Sequence, residues 1–337
     1  MRGLAALVVV IYHGTSHVFP MGYAAVDLFF VLSGFVLAHR HGEELNSGGH
    51  RLDFLLKRVI RLYPLYAVGA FLGLVSAGLL VGRIDAWTWR LYGTAAALAP
   101  VFLPVLSNVA LGVFPLDGPA WSLFFEAVGN IVFAFTGARP RLTAAIAFLS
   151  LPLVLLAIKH WQGGGGSTLE EFPGGFARVL FSFFAGVVAW RLWHAGRRLP
   201  WNLPWGILFL IMIAIYAACP HKTALFDALL VVVVQPLLIW AGASSRPGRL
   251  EPVMTWLGAI SYALYVIHVP LHLLLLDLLG DRDGLSYYLG VPVSGGHSPL
   301  PFPAVLITLP LAVAAAHVLT FGFDIPVRRW LTRRFAA

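Results

Sequence analysis

Long apolar runs, separated by short clusters of charge, constrain this chain more than any other feature of its sequence. A hydrocarbon core about 30 Å thick takes about 20 mostly apolar residues per helix. Ten candidate spans meet or approach that length: 3–20, 22–38, 63–82, 120–137, 142–159, 176–194, 203–218, 224–242, 254–276 and 303–323. Hydrophobic residues make up 59% of the 337 positions and charged ones only 11%, against roughly 25% charged in a soluble domain. A water-exposed fold could not cover its surface with so few charges, whereas lipid solvates apolar side chains directly. The expected fold is an all-α polytopic membrane protein in a lipid bilayer, one unit over 1–337 with no appended soluble domain.

Gly22, Pro64, Pro140, Pro200, Pro204 and Pro252 punctuate the expected helix starts. The opening Met1-Arg2-Gly3 and the apolar run Leu4–Tyr12 have the outline of a signal peptide. No small-residue cleavage site follows cleanly and His13 interrupts the run, so a retained first helix is expected. The net charge of +8 raises nucleic acid as a partner. The basic residues lie between spans, however, which favours a topological origin and no nucleic acid. Cys219 is the single cysteine, so neither an intrachain disulfide nor a cysteine metal cluster is expected.

Lys and Arg placement sets the expected orientation. With the N-terminus inside, 17 of the 23 basic residues fall on the cytoplasmic side. The outer side receives Arg83, Arg90, Lys159, Arg178, Lys222 and Arg282, and both termini come out cytoplasmic. Residues 88–112 are apolar enough to span, but an eleventh crossing would turn the Arg-rich loops at 139–141, 197–198 and 246–249 outward. That segment, broken by Pro100 and Pro104, is therefore read as a re-entrant or interfacial element roofing a cavity.

Ionisable groups inside spans are costly and point to function by default. Arg2 and His13 lie eleven residues apart, which returns to within about 20° of one helix face and spans roughly 16 Å. A topogenic arginine with a carbonyl-bonded histidine is one reading; proton transfer near neutral pH is the other. Asp27 can cap or pair with a neighbouring helix, and Ser33-Gly34 is a small-residue packing site. Lys57, Arg58 and Arg61 share a helix face and satisfy either the positive-inside rule or a phosphate-bearing ligand. Glu126, entered through Trp121-Ser122-Leu123, needs a cationic partner or a raised pKa. Ser261, Tyr265, His268 and His272 form one polar stripe, suited to interhelical hydrogen bonds or to a substrate path.

In order, five motifs resemble the bacterial acyltransferase-3 family of membrane-bound O-acyltransferases. Arg2-Gly-Leu-Ala-Ala-Leu…Tyr12-His13 is similar to its first-helix Arg–ten residues–His signature. Val26-Asp27-Leu-Phe-Phe-Val-Leu-Ser33-Gly34-Phe resembles its second helix, and Phe54-Leu-Leu-Lys57-Arg58-Val-Ile-Arg61-Leu-Tyr63-Pro64 the basic opening of its third. Trp121-Ser122-Leu-Phe-Phe-Glu126 and Ile260-Ser261-Tyr262-Ala-Leu-Tyr265-Val-Ile-His268 are similar to two later family segments. After Glu126 family members often continue with an acidic or Gln residue and aromatics, where this chain has Ala127-Val128-Gly129-Asn130. That departure bears on the acceptor side. The signature begins at residue 2, so an upstream start is an expectation.

The resemblance implies ten spans and a single integral-membrane acyltransferase domain. It also implies transfer from cytoplasmic acyl-CoA, here an acetyl group from acetyl-CoA, to a hydroxyl of an extracytoplasmic carbohydrate or lipid-linked glycan. The setting is the bacterial inner membrane. On this reading Arg2, Lys57, Arg58 and Arg61 hold the donor phosphates, and no metal takes part. His13 serves as general base or transient acyl carrier, and Glu126 orients or protonates it. Asp27, Ser33, Trp121, Ser122, Ser261, Tyr265 and His268 line the substrate path. The rival reading is a proton-coupled transporter or flippase using His13 and Glu126 as a relay, which leaves the basic cluster unexplained.

Overall fold

A computed structural model of the protein describes residues 1–14, 18–79, 86–107, 112–161, 163–197, 199, 203–218, 223–245, 248–279 and 302–336. Arg83, Arg198, Cys219, Lys222, Arg246 and Arg282 lie outside the described residues, as do 15–17 of the first expected span and 108–111 of the expected re-entrant segment. Among the described residues the fold is helical, without strands. The helices are α1 (Arg2–Gly14), α2 (Ala25–Asn46), α3 (Arg51–Leu79), α4 (Ala86–Leu98), α5 (Ala120–Thr136), α6 (Pro140–His160) and α7 (Phe172–His194). They continue with α8 (Trp205–Ala217), α9 (Ala224–Leu229), α10 (Gln235–Gly242), α11 (Glu251–Leu279), α12 (Phe302–Val318) and α13 (Ile325–Phe335). A π-helical turn at Leu230–Val234 joins α9 to α10, and another at Leu319–Asp324 joins α12 to α13.

Seven of these rods are long and apolar enough to cross a membrane, and α1, α5 and α8 are shorter apolar helices. Every expected span coincides with a helix or a π-joined pair, and the chain is an all-α polytopic membrane protein. Its outer surface agrees: Phe71, Phe148, Leu149, Leu156, Leu210, Leu225, Leu306 and Val318 are exposed, a band that water would not tolerate and lipid solvates.

The largest departure from the expected helix starts is at α3. α3 starts at Arg51 rather than residue 63 and carries Pro64 in its interior, because Arg58 and Arg61 turn inward onto carboxylates and the basic stretch remains helical. α11 likewise extends to Glu251–Leu279 around an internal Pro270.

The core centres on α2, α7 and α11. A β-carbon on Gly34 would overlap the carbonyl oxygen of Phe183, and one on Gly186 that of Val31, so α2 and α7 cross backbone to backbone. The small residue expected at Ser33-Gly34 serves that crossing. Gly3 lets α1 lie equally close to Leu257 of α11.

The next helix packs back along α3. α4 has 13 residues, roughly 20 Å of helix, and runs antiparallel to α3. Tyr92 and Ala95 cluster with Ala77, while Pro100 accepts a hydrogen bond from Tyr63 Oη at 2.9 Å. Phe102 then adopts φ 55°, an uncommon conformation for a residue with a β-carbon. Its ring packs 4.4 Å from that of Tyr66 and 5.7 Å from that of Phe114. Beyond the turn the chain climbs again, and Val113 N donates to Ser167 O at 2.8 Å. Among the described residues, α4 thus packs back along α3; residues 108–111 of the expected re-entrant or interfacial segment lie outside the description.

The loops sort onto two faces. At one, Asn46 Oδ1 accepts from Ala138 N at 2.8 Å, Arg191 donates to the Ala138 carbonyl, and Trp240 Nε1 donates to Arg197 O at 3.2 Å. At the other, Arg178 Nη1 donates to Gly165 O at 2.7 Å, Gly163 N to Asp227 Oδ2 at 3.2 Å and Met21 N to Tyr216 O at 3.2 Å. The first set joins loops expected inside, and the second joins loops expected outside.

Candidate active site

A cavity of about 110 Å³ opens between α1, α2, α3, α5 and α11, lined among others by Arg2, Ser33, Arg58, Ser122, Glu126 and Tyr265. Glu126 is buried two turns into α5, where its Oε1 accepts from Ser33 Oγ at 2.6 Å and from Arg58 Nη2 at 3.1 Å. Arg2 enters from the first turn of α1, within electrostatic reach of Arg58, Arg61 and Glu126. Among the described residues it makes no hydrogen bond of its own.

Farther along, Ser122 Oγ and Tyr265 Oη lie 2.6 Å apart, and the Tyr265 ring packs 5.3 Å from that of Phe29. Ser261 also lines the cavity and donates to Gly258 O at 2.7 Å. One turn beyond Tyr265 the polar stripe of α11 meets α1. His268 Nε2 lies 3.1 Å from His13 Nδ1, with ring centroids 4.9 Å apart. His268 Nδ1 faces Tyr265 O at 2.7 Å, and His13 Nδ1 faces Val9 O at 3.0 Å. Because a carbonyl only accepts, both Nδ1 atoms carry the proton in the neutral rings. The single Nδ1 proton of His13 is then shared between Val9 O and His268 Nε2, and the lone pair of His13 resides on Nε2. Beyond the pair, His13, His268, His272 and Thr308 line a second, much smaller cavity.

Arg2, Ser33, Arg58, Ser122, Glu126, Ser261 and Tyr265 thus meet at one cavity, and His13 and His268 meet just beyond it. Other expectations separate. Glu126 engages Arg58 and Ser33, whereas the imidazole beside His13 is that of His268. The reason is register, since Ser33 and Arg58 present their donors to the α5 turn that carries Glu126. Lys57 is half-exposed and paired with Asp53 at 2.6 Å, on a different side of α3 from Arg58, and does not line the cavity. Arg61 stacks 4.8 Å over the ring of Tyr262, a cavity residue, and reaches Asp324 at 3.5 Å.

Asp27 belongs to a layer behind the cavity. It is fully buried and accepts from Arg178 Nη2 at 2.6 Å, Arg178 Nε at 3.2 Å and Ser182 Oγ at 3.2 Å. Arg178 also lies 5.2 Å over the ring of Trp121. The pair ties α2 and α7 to the outer loop and to the start of α5. Past Glu126, Gly129 packs against Phe183 and Val179, so the departure at 127–130 serves close contact with α7.

The sequence reading missed Arg178, counted with the outer loops although it lies within the expected span 176–194. It also passed over Asp227 and Asp324. Asp227 accepts from Tyr23 and Gly163, and its signal was a carboxylate inside the expected span 224–242. Asp324 sits one residue past a span end and carries a weaker signal.

A model of an acyltransferase domain family matches residues 1–321. The exopolysaccharide production protein ExoZ of Rhizobium meliloti (strain 1021) is 26% identical over 329 residues, covering 96% of this chain and 95% of that protein. Protein 2 in the picA locus of Rhizobium radiobacter is 39% identical over 172 residues, or 47% of this chain and 90% of that protein. No solved structure matches the chain. With the family match covering nearly its whole length and five motifs in order around one cavity, the chain belongs to this acyltransferase family.

Proposed function

We propose that this acyltransferase is an acyl-CoA-dependent O-acyltransferase of the bacterial inner membrane, with both termini in the cytoplasm. It takes an acetyl group from cytoplasmic acetyl-CoA and transfers it to a hydroxyl of an extracytoplasmic carbohydrate or lipid-linked glycan. The observation that carries the reading is a surplus of positive charge at the cavity floor, with a histidine pair just beyond the cavity. Arg58 is paired with Glu126, while Arg2 lines the same cavity and forms no ion pair of its own among the described residues, so two guanidiniums share one carboxylate. An anion entering from that side, such as a phosphate of the donor, supplies the missing charge. The pantetheine arm of such a donor is long enough to follow α1 from Arg2 toward His13, roughly 16 Å away.

His13 takes the proton of the acceptor hydroxyl at Nε2 as that oxygen attacks the thioester carbonyl. The C–O ester bond forms, the C–S bond breaks, and the proton passes to the departing thiolate. His268 is a positioning residue. By accepting from His13 Nδ1 it holds the tautomer, a job that a carboxylate performs in other base–orienter pairs. Glu126 serves to hold Arg58 in the cavity wall. The printed name of ExoZ speaks of exopolysaccharide production, which supports a carbohydrate acceptor. Incubating purified protein with radiolabelled acetyl-CoA tests the reading: release or transfer of the label that depends on His13 supports it, and an inert thioester contradicts it.

A further inference from the structure

Beyond the cavity lies a second cluster of charge, on the rod formed by α12, the π turn and α13. The turn Leu319–Asp324 inserts an extra residue into the helix, a feature frequent at functional sites, and Asp324 is buried with only 2% of its side chain exposed. Its Oδ2 receives two guanidiniums, Arg328 Nη2 at 2.8 Å and Arg61 Nη1 at 3.5 Å. Its Oδ1 is buried and has no partner among the described residues. Two arginines assembled merely to neutralise a carboxylate would each take one oxygen. Here both converge on the same oxygen, and a guanidinium has five N–H donors, so most of their capacity remains.

Four arginines, Arg2, Arg58, Arg61 and Arg328, therefore gather around two carboxylates, Glu126 and Asp324. Tyr262 connects the groups: its ring lies under Arg61 and lines the cavity, and its hydroxyl donates to Leu62 O at 2.5 Å. Arg328 is 25% exposed and lies one turn nearer the chain's C-terminal end than Asp324. Residue 328 also lies past 321, where the family match ends.

We infer that Arg328 is a further binding residue for the donor, contacting a phosphate of its nucleotide, with Asp324 positioning Arg61 and Arg328 side by side. The inference rests on the acyl-CoA reading of the cavity. A lone Arg2 matches one phosphate charge, whereas a nucleotide with a diphosphate and a ribose phosphate calls for a second basic group toward the cytoplasm.

The test titrates CoA, dephospho-CoA and pantetheine into the full-length protein in lipid nanodiscs. Wild type is compared with Arg328→Ala and with Arg328→Gln, which keeps a hydrogen bond to Asp324 and guards against a folding defect. Both variants should weaken CoA roughly tenfold or more, as the loss of one charge-assisted contact does, and leave pantetheine unchanged. Loss for CoA alone assigns the contact to the ribose phosphate, and equal loss for dephospho-CoA assigns it to the diphosphate; either supports the inference. Unchanged CoA affinity in Arg328→Gln, or an equal loss for pantetheine, overturns it while wild-type CoA binding keeps the donor reading intact. A wild type that binds no CoA overturns the donor reading itself.

Discussion

Backbone carbonyls at Val9 and Tyr265 face the Nδ1 atoms of His13 and His268 and so place the proton of each neutral ring on Nδ1. The motif around His13 was readable in the sequence, and so was the stripe carrying His268. Their meeting was not, since it depends on how α1 lies against α11, which Gly3 permits by removing a β-carbon at Leu257. The charged residues divide in the same way. Among the described residues Arg2 has no hydrogen bond to lose, so Arg2→Ala should raise the KM for acetyl-CoA by about tenfold or more with an unchanged thermal midpoint. An unaltered KM would remove Arg2 from the donor site. Asp27 behaves oppositely. Asp27→Ala strands the buried Arg178 and should cost about 3–5 kcal/mol, seen as a lowered unfolding midpoint in detergent; a wild-type midpoint would contradict the structural role.

Between elements, close approach of backbones decides the architecture. The α2–α7 crossing at Gly34 and Gly186 leaves no room for a side chain, so Gly34→Val should destabilise the fold by about 1–3 kcal/mol or more. Normal yield and melting of that variant would mean the helices are farther apart than described. The helices themselves were legible, because an apolar run of span length has few alternatives in lipid. Their extensions were not. Lys57, Arg58 and Arg61 look alike in sequence as a basic boundary, and only tertiary partners separate them. Asp53 draws Lys57 outward, Glu126 draws Arg58 into the cavity, and Asp324 draws Arg61 toward α13. The re-entrant path of α4 could be inferred from parity, but its depth came from Tyr63 bonding Pro100.

Across the whole molecule, two sets of loops bonded at opposite faces agree with an even number of crossings. Reporter fusions at Gly165 should read outside, and fusions at Gly196 and Gly248 inside. A cytoplasmic signal at Gly165 would put α4 across the membrane and reverse every later loop. On the proposed reading, that topology sets Arg2 and Arg58 toward the cytoplasmic face, with the histidine pair beyond them. On the proposed mechanism, acyl transfer runs through His13. The direct measurement is transfer from radiolabelled acetyl-CoA by His13→Gln in nanodiscs, with CoA affinity measured on the same sample. Glutamine keeps some hydrogen bonding to His268 but cannot take up a proton. Turnover should fall about 10²–10⁴-fold while CoA binds as in wild type, and transfer at a near wild-type rate would contradict the account.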